Sequence, residues 1–132
     1  MSIKKQNKNK RFTLKRFFNS IKYSIEGLTY AYKNEQSLWL HGVGSLVIIS
    51  LGFVLGISFN QWAILIIALV IVLAIELLNT AIEATVDLIT KEIHPLAKIA
   101  KDCGSAASFV SAIMLFIISL FIFVPYIINI FK

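Results

Sequence analysis

The sequence has a single cysteine, Cys103, in 132 residues. That excludes an internal disulfide framework and any CxxC metal or redox motif. Charge is scarce too: 15% of residues are charged and 58% are hydrophobic, too apolar a balance for a soluble domain of this size. The two histidines, His41 and His94, lack HExxH spacing, which argues against zinc. There is no GxxxxGK[ST] loop, and Gly42-x-Gly44 lacks a third glycine. Nucleotide chemistry here is therefore not built on a P-loop, a Rossmann unit or a protein-kinase fold. No cleavable signal peptide is expected, because the basic N-terminus runs into an amphipathic stretch with no apolar core and small-residue cleavage site after it. No internal repeat is present.

What remains reads as one membrane domain, residues 1–132, all-α and integral to the bilayer. Residues 1–10 form a polar, basic, aperiodic segment expected to be a mobile tail. Residues 11–33 place Leu14, Phe17, Phe18, Ile21, Ile25 and Leu28 at helical spacing, with Lys15, Arg16, Asn19, Lys22 and Glu26 on the other side. This predicts an amphipathic helix lying in the membrane interface. Three spans follow, at 38–59, 62–90 and 105–130. The first contains Gly52-x-x-x-Gly56, a small-residue pattern that allows close helix approach. Ser58–Gln61 is expected to turn the chain and Trp62 to anchor the second span. Pro95 marks a break and a new helix start, and Pro125 is expected to kink or end the last span.

The cations are unevenly placed. Nine of the thirteen Lys and Arg residues precede Asn34, and Lys91, Lys98 and Lys101 lie in the second polar stretch. A basic arm beside membrane spans suits anionic headgroups and topology control better than nucleic acid, so no nucleic-acid partner is expected. The positive-inside rule puts the N-terminus and the Lys91–Asp102 connection in the cytoplasm and the C-terminus outside.

The acids carry the chemistry. Glu76, Asn79, Glu83 and Asp87 fall within about 80° of one another on a helix, one polar stripe at the end of an apolar run. A helix from 62 to 90 would measure about 43 Å against a hydrocarbon thickness of about 30 Å, so Glu76 sits at the boundary and Glu83 and Asp87 beyond it. Acids at such a place are functional candidates. Without cysteine, carboxylates suit Mg²⁺, which shares its shell with phosphates. Apolar surroundings disfavour the charged form of Glu76 and suit it to taking up a proton from a substrate that lives in lipid. Three classes fit the stripe: a metal-dependent enzyme acting on a lipid headgroup, a cation or proton transporter, and a structural span whose acids pair with Lys98 and Lys101. A transporter usually places an acid near mid-bilayer, and this chain has none there, which favours the enzyme.

The run E-L-L-N-T-A-I-E-A-T-V-D at 76–87, followed by A-K-D-C-G-S-A-A at 100–107, resembles the signature of the small prokaryotic diacylglycerol kinase family, whose Gram-positive branch consists of undecaprenol kinases. The likeness extends to Tyr23-Ser24-x-x-Gly27-Leu28 and Asn34-Glu35 and covers nearly all the chain beyond the tail. The resemblance implies a homotrimer with a surface helix and three membrane spans per subunit. It implies transfer of the γ-phosphate of Mg·ATP to a lipid hydroxyl in sites shared between subunits. Carried over by position, Glu76 resembles the catalytic base and Glu35 and Glu83 the metal carboxylates. Lys101 and Asp102 match nucleotide contacts, and Asn79 a positioning residue. Arg16, Tyr23, Glu92 and His94 match positions lining the nucleotide, and Ser105 one on the lipid side. Asp87 is left open between a structural partner of a nearby lysine and a site residue. The Gram-positive branch tends to carry Asn-x-Arg-x-His at the head of the first span. Here S-L-W-L-H keeps His41 but has Trp39 where arginine is usual. The histidine implies undecaprenol as acceptor, with diacylglycerol as the alternative.

Overall fold

A computed structural model describes residues 13–132, all-helical apart from short connections. The expected tail and the first two residues of the surface helix lie outside the described residues. The helices are α1 (Leu14–Asn34), α2 (Gln36–Leu55), α3 (Phe59–Ile89) and α4 (Pro95–Ile130). By length and composition α2, α3 and α4 can each cross a membrane.

One extended residue, Glu35, separates α1 from α2 (φ −110°, ψ 114°). The chain turns there without a loop, which puts the Glu35 carboxylate at the corner where the two helices meet. The first span ends earlier than expected, at Leu55, because Gly56 adopts the left-handed conformation (φ 61°) that closes a helix. The chain reverses at Gly56–Ser58 rather than at Ser58–Gln61. α3 then starts at Phe59, under a capping box in which Ser58 Oγ accepts from the Gln61 N–H and Gln61 Oε1 accepts from the Ser58 N–H. The glycine pair thus has a different use from the one expected. Gly56 ends α2, and a Cβ at Gly52 would lie 2.8 Å from the Trp62 ring, so Gly52 makes room for that indole.

α3 and α4 form the principal packed pair. Their buried residues recur at helical spacing: Leu65, Ala68, Val72, Glu76 and Asn79 on α3, and Gly104, Ser108, Ser111, Leu115 and Ser119 on α4. The pair is tied at one end by Tyr126 Oη donating to Gln61 Oε1 (2.7 Å) and at the other by Lys101 Nζ to Asp87 Oδ1 (2.5 Å). The third span is the apolar part of a longer helix. α4 begins at Pro95, in the N1 position where its missing N–H costs nothing, with His94 Nδ1 accepting from the Leu96 N–H (3.2 Å). Pro125 does not end it; five further residues stay helical. Beyond the core, most large apolar side chains face outward, as a lipid environment allows.

Candidate active site

The apolar stripe of α3 continues into the acids. Leu65, Ala68 and Val72 lead one turn later to Glu76, which is only 3% exposed. A carboxylate so deep needs donors, and α2 supplies them. His41 Nε2 lies 2.9 Å from Glu76 Oε1, and Ser37 Oγ donates to Oε2 at 3.0 Å. Ser37 had no place among the expected site residues. Its spacing of four from His41, one helical turn, is the signal that could have found it.

A turn further along α3, buried Asn79 donates from Nδ2 to Glu83 Oε1 at 3.0 Å. Its Oδ1 is buried without a partner and faces Gly104, where any Cβ would overlap it. Gly104 therefore lets α4 close over the amide and turn its N–H groups toward Glu83. Glu35, at the α1–α2 corner, completes the cluster. Burial, then the charges of Glu83 and Glu76, push its carboxyl above the ordinary carboxylate range. Three acids from two parts of the chain thus lie within electrostatic reach of one another. Among the described residues, no group of three or more His, Cys, Asp or Glu side chains is arranged to hold a metal ion.

The remaining expected residues fall elsewhere. A cleft of about 310 Å³ at the α3–α4 connection is lined by Asp87, Glu92, His94, Lys98, Lys101 and Asp102, among others. Lys101 pairs there with Asp87, and Lys98 with Asp102 one turn away on α4. Arg16 and Tyr23 are exposed on α1, and Ser105 is exposed on α4. Among the described residues no hydrogen bond joins Tyr23 or Ser105 to the acids. On the membrane side, a groove of about 450 Å³ between α2 and α3 runs from Tyr32, Trp39 and His41 to Ile49, Val70 and Leu73. Trp39 edges onto Tyr32 and donates to its carbonyl (2.9 Å). One end of this groove is His41, the residue that touches Glu76.

Buried and paired carboxylates beside an apolar groove, with a cleft of mixed charge at the α3–α4 connection, belong with known proteins. A model of the prokaryotic diacylglycerol kinase family matches residues 22–123. Over 118 residues the chain is 39% identical to the undecaprenol kinase of Bacillus subtilis, covering 89% of this chain and 96% of that one. Over 98 residues it is 43% identical to a diacylglycerol kinase of Pseudomonas aeruginosa, covering 74% of this chain and 80% of that one. Over 99 residues it is 36% identical to a diacylglycerol kinase of Escherichia coli, covering 75% and 81%. The chain is a membrane-embedded member of the prokaryotic diacylglycerol kinase family, a lipid kinase.

Proposed function

We propose that this lipid kinase phosphorylates undecaprenol, with Glu76 as the base that takes the proton from the lipid hydroxyl. The observation that carries the reading is Glu76 itself: buried, held at both oxygens, and linked through His41 to an apolar groove that leads into the membrane. The lipid oxygen attacks the γ-phosphorus in line, the bond to the β-phosphate oxygen breaks, and ADP leaves. Diacylglycerol is the second reading, supported by relatives named for it.

Mg²⁺ fits the acids. It prefers carboxylate oxygen and keeps waters and phosphate oxygens in its shell, so two protein ligands suffice. Glu35 and Glu83 would hold it; burial and, after it, the charges of Glu83 and Glu76 raise the Glu35 carboxyl, and a cation there would relieve the repulsive part. When bound it neutralises charge on the phosphates. Asn79 orients Glu83. Lys101 and Asp102, with Glu92 and His94 in the same cleft, bind the nucleotide, the lysine on phosphate. Arg16 and Tyr23 close over it from α1, and Ser105 faces the lipid.

The assembly is a homotrimer with shared sites. Support comes from Tyr23 and Ser105, which are exposed, share no hydrogen bond with the acids among the described residues of one chain, and would be brought to them by neighbouring subunits. α1 lies in the interface with Phe17, Ile21, Ile25 and Leu28 on its apolar side; these four line one shallow depression. The site lies at the cytoplasmic surface and the C-terminus outside; the cations before Asn34 and in the 91–101 stretch support this orientation.

Glu76→Gln tests the base. Turnover should fall by roughly 10²–10⁴-fold, with ATP binding and assembly retained. Near-normal turnover would remove Glu76 from the role.

A further inference from the structure

The two donors to Glu76 come from a different helix and sit one turn apart on it. Ser37 and His41 share a face of α2, and each reaches a different oxygen of the same carboxylate (3.0 and 2.9 Å). Glu83, by contrast, is held by Asn79 from its own helix. A glutamate side chain has three rotatable bonds. One donor would leave the carboxylate free to swing, whereas one on each oxygen fixes its plane. The hold does not block chemistry, because each carboxylate oxygen keeps a further lone pair for an incoming hydroxyl.

We propose that Ser37 and His41 are positioning residues that clamp Glu76 from α2 and aim it at the lipid hydroxyl. The proposal rests on reading Glu76 as the base. It assigns His41 to the carboxylate rather than to lipid recognition, although the imidazole also lines the apolar groove. α2 thereby couples the groove to the base: whatever seats in the groove lies against the helix that aims the carboxylate.

The test uses the purified full-length protein in mixed micelles, with kcat and the KM for ATP and for lipid measured separately. The variants are Ser37→Ala, Ser37→Thr, His41→Ala, His41→Gln and the double alanine, with Glu76→Gln alongside. Misaiming a reacting group lowers kcat, so each single alanine should cost roughly tenfold and the double roughly a hundredfold. Both KM values should stay within about twofold in the Ser37 variants, whose side chain lines neither the groove nor the cleft; the His41 variants, at the end of the groove, should lose more in kcat than they gain in lipid KM. Ser37→Thr restores the hydroxyl and His41→Gln an N–H, so both should recover most of kcat. Ser37→Ala removes one oxygen atom and carries the test if a larger change disturbs assembly. Wild-type kcat in the double variant would overturn the clamp. So would a raised lipid KM at unchanged kcat in His41→Ala, which would make His41 a lipid contact. Ser37→Thr performing no better than Ser37→Ala would also overturn it, since the hydroxyl would then be irrelevant. Full turnover in Glu76→Gln would instead overturn the base assignment, a failure separable from that of the clamp.

Discussion

Glu35 occupies the extended position between α1 and α2, where burial first, and then the charges of Glu83 and Glu76, disfavour its ionised form. Its carboxyl binds a proton more tightly in the folded chain than in the unfolded one. This group therefore favours the folded state most below the ordinary carboxylate range, and that contribution is lost as pH rises through the raised value. At neutral pH without Mg²⁺, Glu35→Gln should raise the melting temperature. Added Mg²⁺ should stabilise the wild type and leave the variant unmoved. Thermal denaturation in detergent with and without Mg²⁺ checks both; equal Mg²⁺ stabilisation of the two proteins would contradict a metal role for Glu35. Single residues were unevenly legible in the sequence. The spacing of Glu76, Asn79 and Glu83 gave their common face, because helical periodicity is local. The burial of Glu76 and its grip by Ser37 and His41 depend on α2 docking some forty residues away in sequence, which no local pattern encodes. Asp87 was open between two roles, and its pairing with Lys101 depends on how α3 and α4 close.

The four helices follow from apolar runs and their punctuation, and the departures lie where punctuation has a second meaning. Gly52 and Gly56 read as one packing motif, yet each does separate work. Gly56 takes a backbone conformation that favours glycine, and Gly52 yields space to Trp62. Gly52→Ala should therefore cost about 1–3 kcal/mol of stability through overpacking against the indole, whereas Gly44→Ala, where an added Cβ meets nothing, should be near neutral. A melting comparison of the two variants checks this, and equal effects would contradict the assignment. Pro125 was expected to stop or kink α4. It stays within the helix, because α4 is held on both sides of it, by Ile122 and Phe123 in the core and by Tyr126 bonded to Gln61. The polar 95–104 stretch is helical because Pro95 and His94 start a helix well before the apolar run begins.

At the scale of the whole molecule, the pieces form a gradient. A groove suited to hydrocarbon meets a buried carboxylate. The carboxylate adjoins the acids proposed to hold Mg²⁺, and beyond these lies the cleft that carries Lys98 and Lys101. That order is the one the proposed transfer from nucleotide to lipid needs. The class of reaction was legible in the sequence through one motif, E-x-x-N-x-x-x-E with its later K-D. The acceptor was not, because the groove that would seat it is assembled from two helices, α2 and α3, rather than from a pattern in the chain. The most direct measurement is therefore transfer of labelled γ-phosphate from Mg·ATP in mixed micelles, comparing kcat/KM for undecaprenol with that for diacylglycerol. The account predicts a clear preference for undecaprenol. A preference for diacylglycerol, or transfer to neither lipid, would contradict it.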